Sequence, residues 1–284
     1  MGLARAAIPL RVTFAGIAAE ICCDDLALGG QLEHFFRHCQ GAGEPVVRYT
    51  ISRLQPRLWQ IWRDQELIRQ DLQELDVMEG LMHDLVAQLI TRTHCQVVFH
   101  AAGVELNGRV ALLIAESGAG KSSLAGWLIA QGWNYLGDEI LSWDGAAGLV
   151  SGLARPLVLK RGATDLWQGW LKAAGTLEQA QPFGNGTLWL DPELIHPRAI
   201  CRSATPGLLL FPHYQAGAEF EYQRLSQAEG VFRLLQHLVN GPNLPGEGFE
   251  SAASLGIACP AFRLKYGEFS EMLAAWLKEK LNWS

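Results

Sequence analysis

The sequence predicts an α/β fold whose sheet is mixed and partly antiparallel, and three observations predict it. Strand-like apolar runs alternate with stretches of helical period. An Asn107-Gly108 pair separates two of those runs, as in a tight hairpin. A glycine-rich loop, Ala115-Glu116-Ser117-Gly118-Ala119-Gly120-Lys121-Ser122-Ser123, lies between an apolar run and a helix with an apolar stripe. The 284 residues, 49% of them hydrophobic, can bury a sizeable core. Two domains are expected: residues 1–93, a small α+β lobe with a connecting helix, and residues 94–284.

Within the lobe, short strand-like runs at 10–15, 46–52 and 58–62 are separated by turns expected at Gly29-Gly30 and at 41–45. From Asp71, read as an N-cap, to about Thr93, the residues Leu72, Leu75, Met78, Leu81, Met82, Leu85, Leu89 and Ile90 recur at helical spacing. Runs 97–106 and 109–115 then form the hairpin about Asn107-Gly108, giving the strand before the glycine loop an antiparallel neighbour. Leu124, Ala125, Trp127, Leu128 and Ile129 stripe the helix after the loop. Gly132-Trp133 leads to a strand ending over 135–140. Strands follow at 156–160, 207–211 and 219–222. Helices are expected around Leu166, Trp170 and Leu171, over 227–239 and over 269–281. The tryptophans, Trp283 among them, fall mostly at apolar-face positions and read as core or interface.

The loop carries the chemistry. Gly118 and Gly120 let successive backbone N–H groups curl around a polyphosphate, flanked by Ser117, Ala119 and Ser123. Lys121 reaches the β and γ oxygens, and the Ser122 hydroxyl suits a magnesium ion. A P-loop for a nucleoside triphosphate, ATP with Mg2+, is the expectation; a glycine-rich turn capping a helix is the alternative. Ala115 stands where the general motif has glycine, which is tolerable if its φ stays negative. Asp138 and Glu139 follow by one helix and one strand, so they are expected beside the phosphates, one to coordinate metal and one to accept the proton of an attacking hydroxyl. A solvated acidic turn is the plainer reading of that pair. His100, in the hairpin strand, is either a hydrogen-bonded core histidine or part of the site.

A formal charge of −6 and a pI near 5.8 argue against nucleic acid as a partner. Six cysteines show no Cys-x-x-Cys or zinc spacing and read as buried thiols of a reducing cytosol. No apolar run is long enough to span a membrane, and Arg11 and Glu20 interrupt the N-terminal apolar stretch. Met1-Gly2 is followed by Ala6 where myristoylation wants Ser or Thr. The expected location is cytoplasmic.

His100-Ala101-Ala102-Gly103-Val104, Asn107-Gly108, the loop 115–123, Gly132-Trp133 and Asp138-Glu139 together resemble the core of the HPr kinase/phosphorylase family. The resemblance is strongest to its HPr kinase-related branch and to the kinases of lasso-peptide precursors, and it extends to 154–160 and 210–214. It covers about residues 95–275. It implies a P-loop core of the HPr kinase / PEP carboxykinase type and an ATP-dependent kinase acting on a Ser/Thr hydroxyl of a peptide or protein. By resemblance, Ser117 to Ser122 bind phosphate and magnesium. His100 helps hold the catalytic acid and the γ-phosphate, Asp138 is the general base and Glu139 a magnesium partner. The Glu-x-Arg-Gly-x-Gly signature of the HPr-directed enzymes is absent, so HPr itself is not the expected substrate. Arg155 and Lys160 are candidates to neutralise the transferring phosphoryl group or to bind an acidic partner, or else lie on a solvated strand edge. His213 is a weaker substrate candidate. The resemblance also suggests a small peptide-chaperone protein as partner, and a homo-oligomer stays open. The alternatives are a nucleotide-binding regulatory or assembly module and a small-molecule kinase.

Overall fold

The computed structural model describes residues 9–179, 182–183 and 187–282. The readings at Met1-Gly2, Ala6 and Trp283, and that of the Leu75 side chain, lie outside the described residues. The chain divides into two compact units, Met1–Thr93 and His94–Ser284.

The first unit is a five-stranded sheet with two helices. In chain order it comprises β1 (Leu10–Phe14), β2 (Ile17–Cys23), α1 (Leu26–Phe36), β3 (Pro45–Gln55), β4 (Leu58–Arg63), β5 (Glu66–Leu72) and α2 (Glu74–Arg92). The strands lie in sequence order, with β2 and β3 parallel and the other neighbours antiparallel. A parallel pair needs a crossover, and α1 supplies it. Gly29-Gly30 is therefore not a turn: it sits inside α1. Asp25 caps that helix by accepting from the Ala27 and Leu28 N–H groups, and Leu28, Leu32, Phe35 and Phe36 are buried along it. Burying those side chains outweighs a penalty of about 1 kcal/mol per helical glycine. Asp71 is likewise not an N-cap. It belongs to β5, whose Leu72 pairs with Trp59, and Asp71 takes a φ of 57° before the helix starts at Glu74 with Gln73 at its cap. α2 buries Val77, Met78, Leu81, Met82, Leu85 and Leu89.

The second unit comprises β6 (Val97–Leu106), β7 (Arg109–Leu113), α3 (Lys121–Ala130), β8 (Asn134–Asp144), β9 (Leu149–Gly152), β10 (Leu157–Leu159), α4 (Thr164–Ala174), β11 (Pro182–Phe183), β12 (Thr187–Leu190), α5 (Pro192–Ile195), β13 (Ser203–Tyr214), β14 (Glu221–Arg224), α6 (Gln227–Leu235), α7 (Phe249–Ala258), β15 (Ala261–Tyr266) and α8 (Glu271–Leu281). Seven strands form a mixed sheet in the order β14-β15-β13-β7-β6-β8-β9, and β10, β12 and β11 form a small separate one. β7, β13 and β15 are parallel, while β6, β8, β9 and β14 run antiparallel to their neighbours. Ser203 and Ala204 of β13 also pair with Ser151 and Val150 of β9, so the sheet curls back on itself.

The hairpin forms as Asn-Gly chemistry demands. Leu106 pairs with Arg109, and Asn107 and Gly108 both have positive φ, 54° and 82°, the two-residue turn that matches strand twist. β7 is covered on both faces: Ala111 and Leu113 pack into one apolar cluster with Leu124, Leu128 and Trp276, and Val110 and Leu112 into another with Phe99, Leu209 and Leu255. Trp59, Trp127, Trp133, Trp143, Trp170 and Trp276 are buried, in keeping with their apolar-face positions. Cys23, Cys39 and Cys259 are buried, Cys95 is exposed, and none of the six cysteines is in a disulfide.

One strand differs in a way that moves the site. β8 does not end at the two acids; it pairs with β6 from Glu105↔Asn134 to Val97↔Trp143, which puts Asp138 and Glu139 in the middle of a strand. The chain then returns from β9 directly over β8. A Cβ on Gly137 would stand 2.9 Å from the Leu153 carbonyl oxygen, so only glycine admits that crossing, and the crossing delivers Arg155 to the acids.

Candidate functional site

The glycine loop leaves β7 where the Ile114 N–H donates to the Leu210 carbonyl at 2.8 Å. Ala115 is absent from the residues with positive φ, as the sequence required of it, whereas Gly118 and Gly120 have φ of 89° and 93°. Gly120 is demanded twice over, since a Cβ there would also lie 3.2 Å from Tyr214 Cβ and 3.3 Å from the Tyr266 hydroxyl. α3 starts immediately after, with Gly120 as its N-cap and no side chain bonded to the cap. Its first-turn N–H groups therefore face the loop with the positive end of the helix behind them, an arrangement suited to an anion. Ser117 and Gly118 are exposed on the crest, and Ala119 and Ser123 are half-buried.

Lys121, 7% exposed, folds back over the loop. Its ammonium donates to the Ala115 carbonyl and, at 3.1 Å, to the Glu116 carbonyl, and it lies 3.3 Å from His100 Nε2. Burial pulls its pKa below the ordinary lysine value, opposed by the charges of Asp138, Glu139 and Glu116. The Ser122 hydroxyl lies beside the Asp138 carboxylate and acts to lower its pKa. Asp138 is 4% exposed, and burial raises its pKa against the lowering pull of Arg155, the Ser122 hydroxyl and Lys121.

Arg155 joins the two acids. Its Nη2 donates to the Asp138 carbonyl at 2.8 Å and to Glu139 Oε2 at 2.5 Å. It is buried, which replaces the solvated strand edge with a structural clamp. Glu139 keeps 37% of its side chain exposed, and its other oxygen, Oε1, is 3.7 Å from His100 Nδ1. Burial lowers the His100 pKa, and the Lys121 charge lowers it further. A neutral imidazole with its proton on Nδ1 suits both neighbours, since Nε2 then turns a lone pair to the ammonium and Nδ1–H faces the carboxylate.

Six of the residues singled out in the sequence thus meet at the mouth of the loop: His100, Lys121, Ser122, Asp138, Glu139 and Arg155. The two acids are not a solvated turn, because a paired β-strand carries them. Lys160 is exposed just beyond β10; its charge acts on Lys121, but it bonds to none of the six. His213 is outside this group, on the wall of a cavity of about 620 Å³ that borders the loop at Ala115, Glu116 and Ala119.

Two participants escape sequence reasoning. The His237 carbonyl, just after α6, accepts the His100 N–H at 2.8 Å and fixes the histidine's backbone from 137 residues away in sequence; nothing local signals that. Tyr266, at the end of β15, brings a hydroxyl that is buried without a partner against Gly120. Its strand was legible in principle, because Ala261 to Tyr266 alternates apolar and cationic residues.

No family model and no curated protein matches the chain. Among solved structures, the HPr(Ser) kinase/phosphatase from Coxiella burnetii aligns over 65% of this chain and 93% of that one, at 11% identity and a TM-score of 0.30. No helix among the described residues is long and apolar enough to cross a membrane.

Proposed function

We propose that this protein is an ATP-dependent kinase that moves the γ-phosphate to a serine or threonine hydroxyl of a peptide or protein other than HPr. The observation that carries the proposal is the convergence at the glycine loop of Lys121, His100, Glu139 and Arg155, with the loop serine Ser122 beside the buried Asp138. A phosphoryl transferase needs cations and amides for the phosphates, oxygen ligands for a metal, and a base for the acceptor. All three kinds of group are gathered here.

The fit to magnesium rests on donor chemistry. The Ser122 hydroxyl and the Asp138 carboxylate are adjacent hard oxygens, the ligands that ion takes. Bound there, it would neutralise charge on the β and γ oxygens. An orphaned polar atom supports a polar ligand at the loop: the Tyr266 hydroxyl, buried with no partner beside Gly120. The loop amides and the α3 N-terminus would hold the phosphate chain, and Lys121 would exchange its bonds to the Ala115 and Glu116 carbonyls for phosphate oxygens.

The two acids divide their work by exposure. The resemblance assigns the base to Asp138 and the metal to Glu139, but burial favours the reverse. Asp138 is buried beside the loop serine, whereas Glu139 reaches solvent beside His100. We therefore assign Asp138 to the metal side and Glu139 to the acceptor hydroxyl, with His100 positioning Glu139 and Arg155 pinning it. The test incubates the protein with γ-labelled ATP, magnesium and serine-containing peptides. Label on peptide serine, lost with Lys121→Ala, is expected. Tight ATP binding with no label on any peptide would instead point to a nucleotide-binding module, and label on a metabolite to a small-molecule kinase.

A further inference from the structure

The 620 Å³ cavity beside the loop is cationic in a protein of net charge −6. Arg233 of α6 and Arg263 and Lys265 of β15 line its wall with His213 and His237, against two acids, Glu116 and Glu221, the latter opposite Lys265 in the β14–β15 pair. Among the described residues, Arg233, Arg263 and Lys265 have no carboxylate within ion-pair distance. Glu229, on which Arg233 and Arg263 act, is engaged by Ser226 in the capping box of α6. Arg233 lies over the Phe211 ring, 5.8 Å from its centroid, which holds the guanidinium on the wall. Arg263 and Lys265 alternate with the buried Phe262 and Leu264, so the two cations share one face of β15.

The cavity reaches the site. His237, on its wall, takes the backbone bond from His100, and Glu116, also on its wall, gives its carbonyl to Lys121. Lys121 and Ser122 themselves are not in its lining, and the loop meets it only at Ala115, Glu116 and Ala119, so the cavity flanks the phosphate cradle. Alternate residues of a strand stand about 6.6 Å apart. The same backbone spacing separates alternate residues of an extended peptide.

We propose that this cavity seats an acidic stretch of the acceptor peptide, with Arg263 and Lys265 taking carboxylates two residues apart while the acceptor hydroxyl lies at the glycine loop. The inference rests on the kinase reading above and names its substrate class. Recognition by half-exposed cations of this kind supplies specificity and weakens with salt.

Fluorescence anisotropy with the full chain tests it without needing phosphoryl transfer. The probes are a labelled serine peptide carrying Glu-x-Glu and the same peptide carrying Lys-x-Lys. The acidic probe is expected to bind the wild-type protein at least about tenfold more tightly than the lysine probe and than it binds the Arg263→Glu/Lys265→Glu variant. Its affinity should fall as salt rises, while the ATP affinity of the variant stays within about twofold of wild type. Should the charge reversal impair folding, Arg263→Gln/Lys265→Gln takes its place. Equal binding of the two probes, indifference to both pairs of substitutions, or a matching loss of ATP affinity would overturn the proposal. The two readings fail separately. Acidic-peptide binding without labelling sinks the kinase and leaves the cavity site, and labelling indifferent to peptide charge sinks the cavity site and leaves the kinase.

Discussion

Replacing Asp138 by asparagine should make the protein more stable and less active at once. The carboxyl is fully buried in mid-strand, and burial raises its pKa despite Arg155, the Ser122 hydroxyl and Lys121. A carboxyl whose folded pKa is raised binds its proton more tightly in the folded state. Its ionisation therefore opposes folding, absent below the ordinary carboxylate value of 3.8 and complete only above the raised folded value. Asparagine keeps the shape and an acceptor for Ser122 while removing the charge. The gain should be about 1 kcal/mol, the usual scale for relieving a functional site, or about 2–4 °C in Tm for a domain of this size. Differential scanning fluorimetry at pH 8 and pH 4 checks it: the variant should melt above wild type at pH 8, and the difference should shrink at pH 4. In the same variant, the magnesium concentration giving half-maximal transfer should rise by about tenfold or more. A lower Tm at pH 8 would refute the burial argument, since Asp138 would then be contributing more through its partners than it loses to desolvation. Unchanged magnesium dependence with transfer abolished would return the base to Asp138.

Glu139→Gln should cut transfer by about 10²–10⁴ while leaving ATP affinity near wild type, the range for a lost general base; normal turnover would remove Glu139 from that role. Gly120→Ala forces a side chain into a φ of 93° against Tyr214 and the Tyr266 hydroxyl, so it should lower stability by about 1–3 kcal/mol in denaturant titration and weaken ATP binding in calorimetry. For His100, burial and the Lys121 charge favour the neutral ring. Activity should hold through the ordinary histidine value of 6.5 and fall only at lower pH, as protonation sets two cations face to face. His100→Gln should flatten that acid limb of the kcat/KM profile, and an unaltered limb would assign it to another group.

Much of the second unit was legible because its signals are local. Asn107-Gly108 needs only its own two φ angles to make a hairpin, and Gly118 and Gly120 likewise carry their backbone requirement with them. Periodicity served β7 and α3 well, where one pattern matched one kind of packing. It failed where neighbours overrode local preference. Gly29-Gly30 became helix because a capped apolar stripe outweighed two glycines, and Asp71 joined β5 because β4 pairs with Arg69 and Leu72 on either side of it. The length of β8 depended on a partner, β6, that no window around Asp138 contains.

The identities of His100, Lys121, Ser122, Asp138, Glu139 and Arg155, and the chemistry each can perform, follow from the sequence alone, since functional groups and glycine torsions are properties of single residues. Their division of labour does not. Which acid is buried under Ser122 and which meets His100, whether Arg155 is clamp or rim, and that β15 and α6 turn cations toward the loop were decided by strand pairing and crossing. Burial and charge are set by what the rest of the chain brings near a residue, and those contacts join positions far apart in sequence.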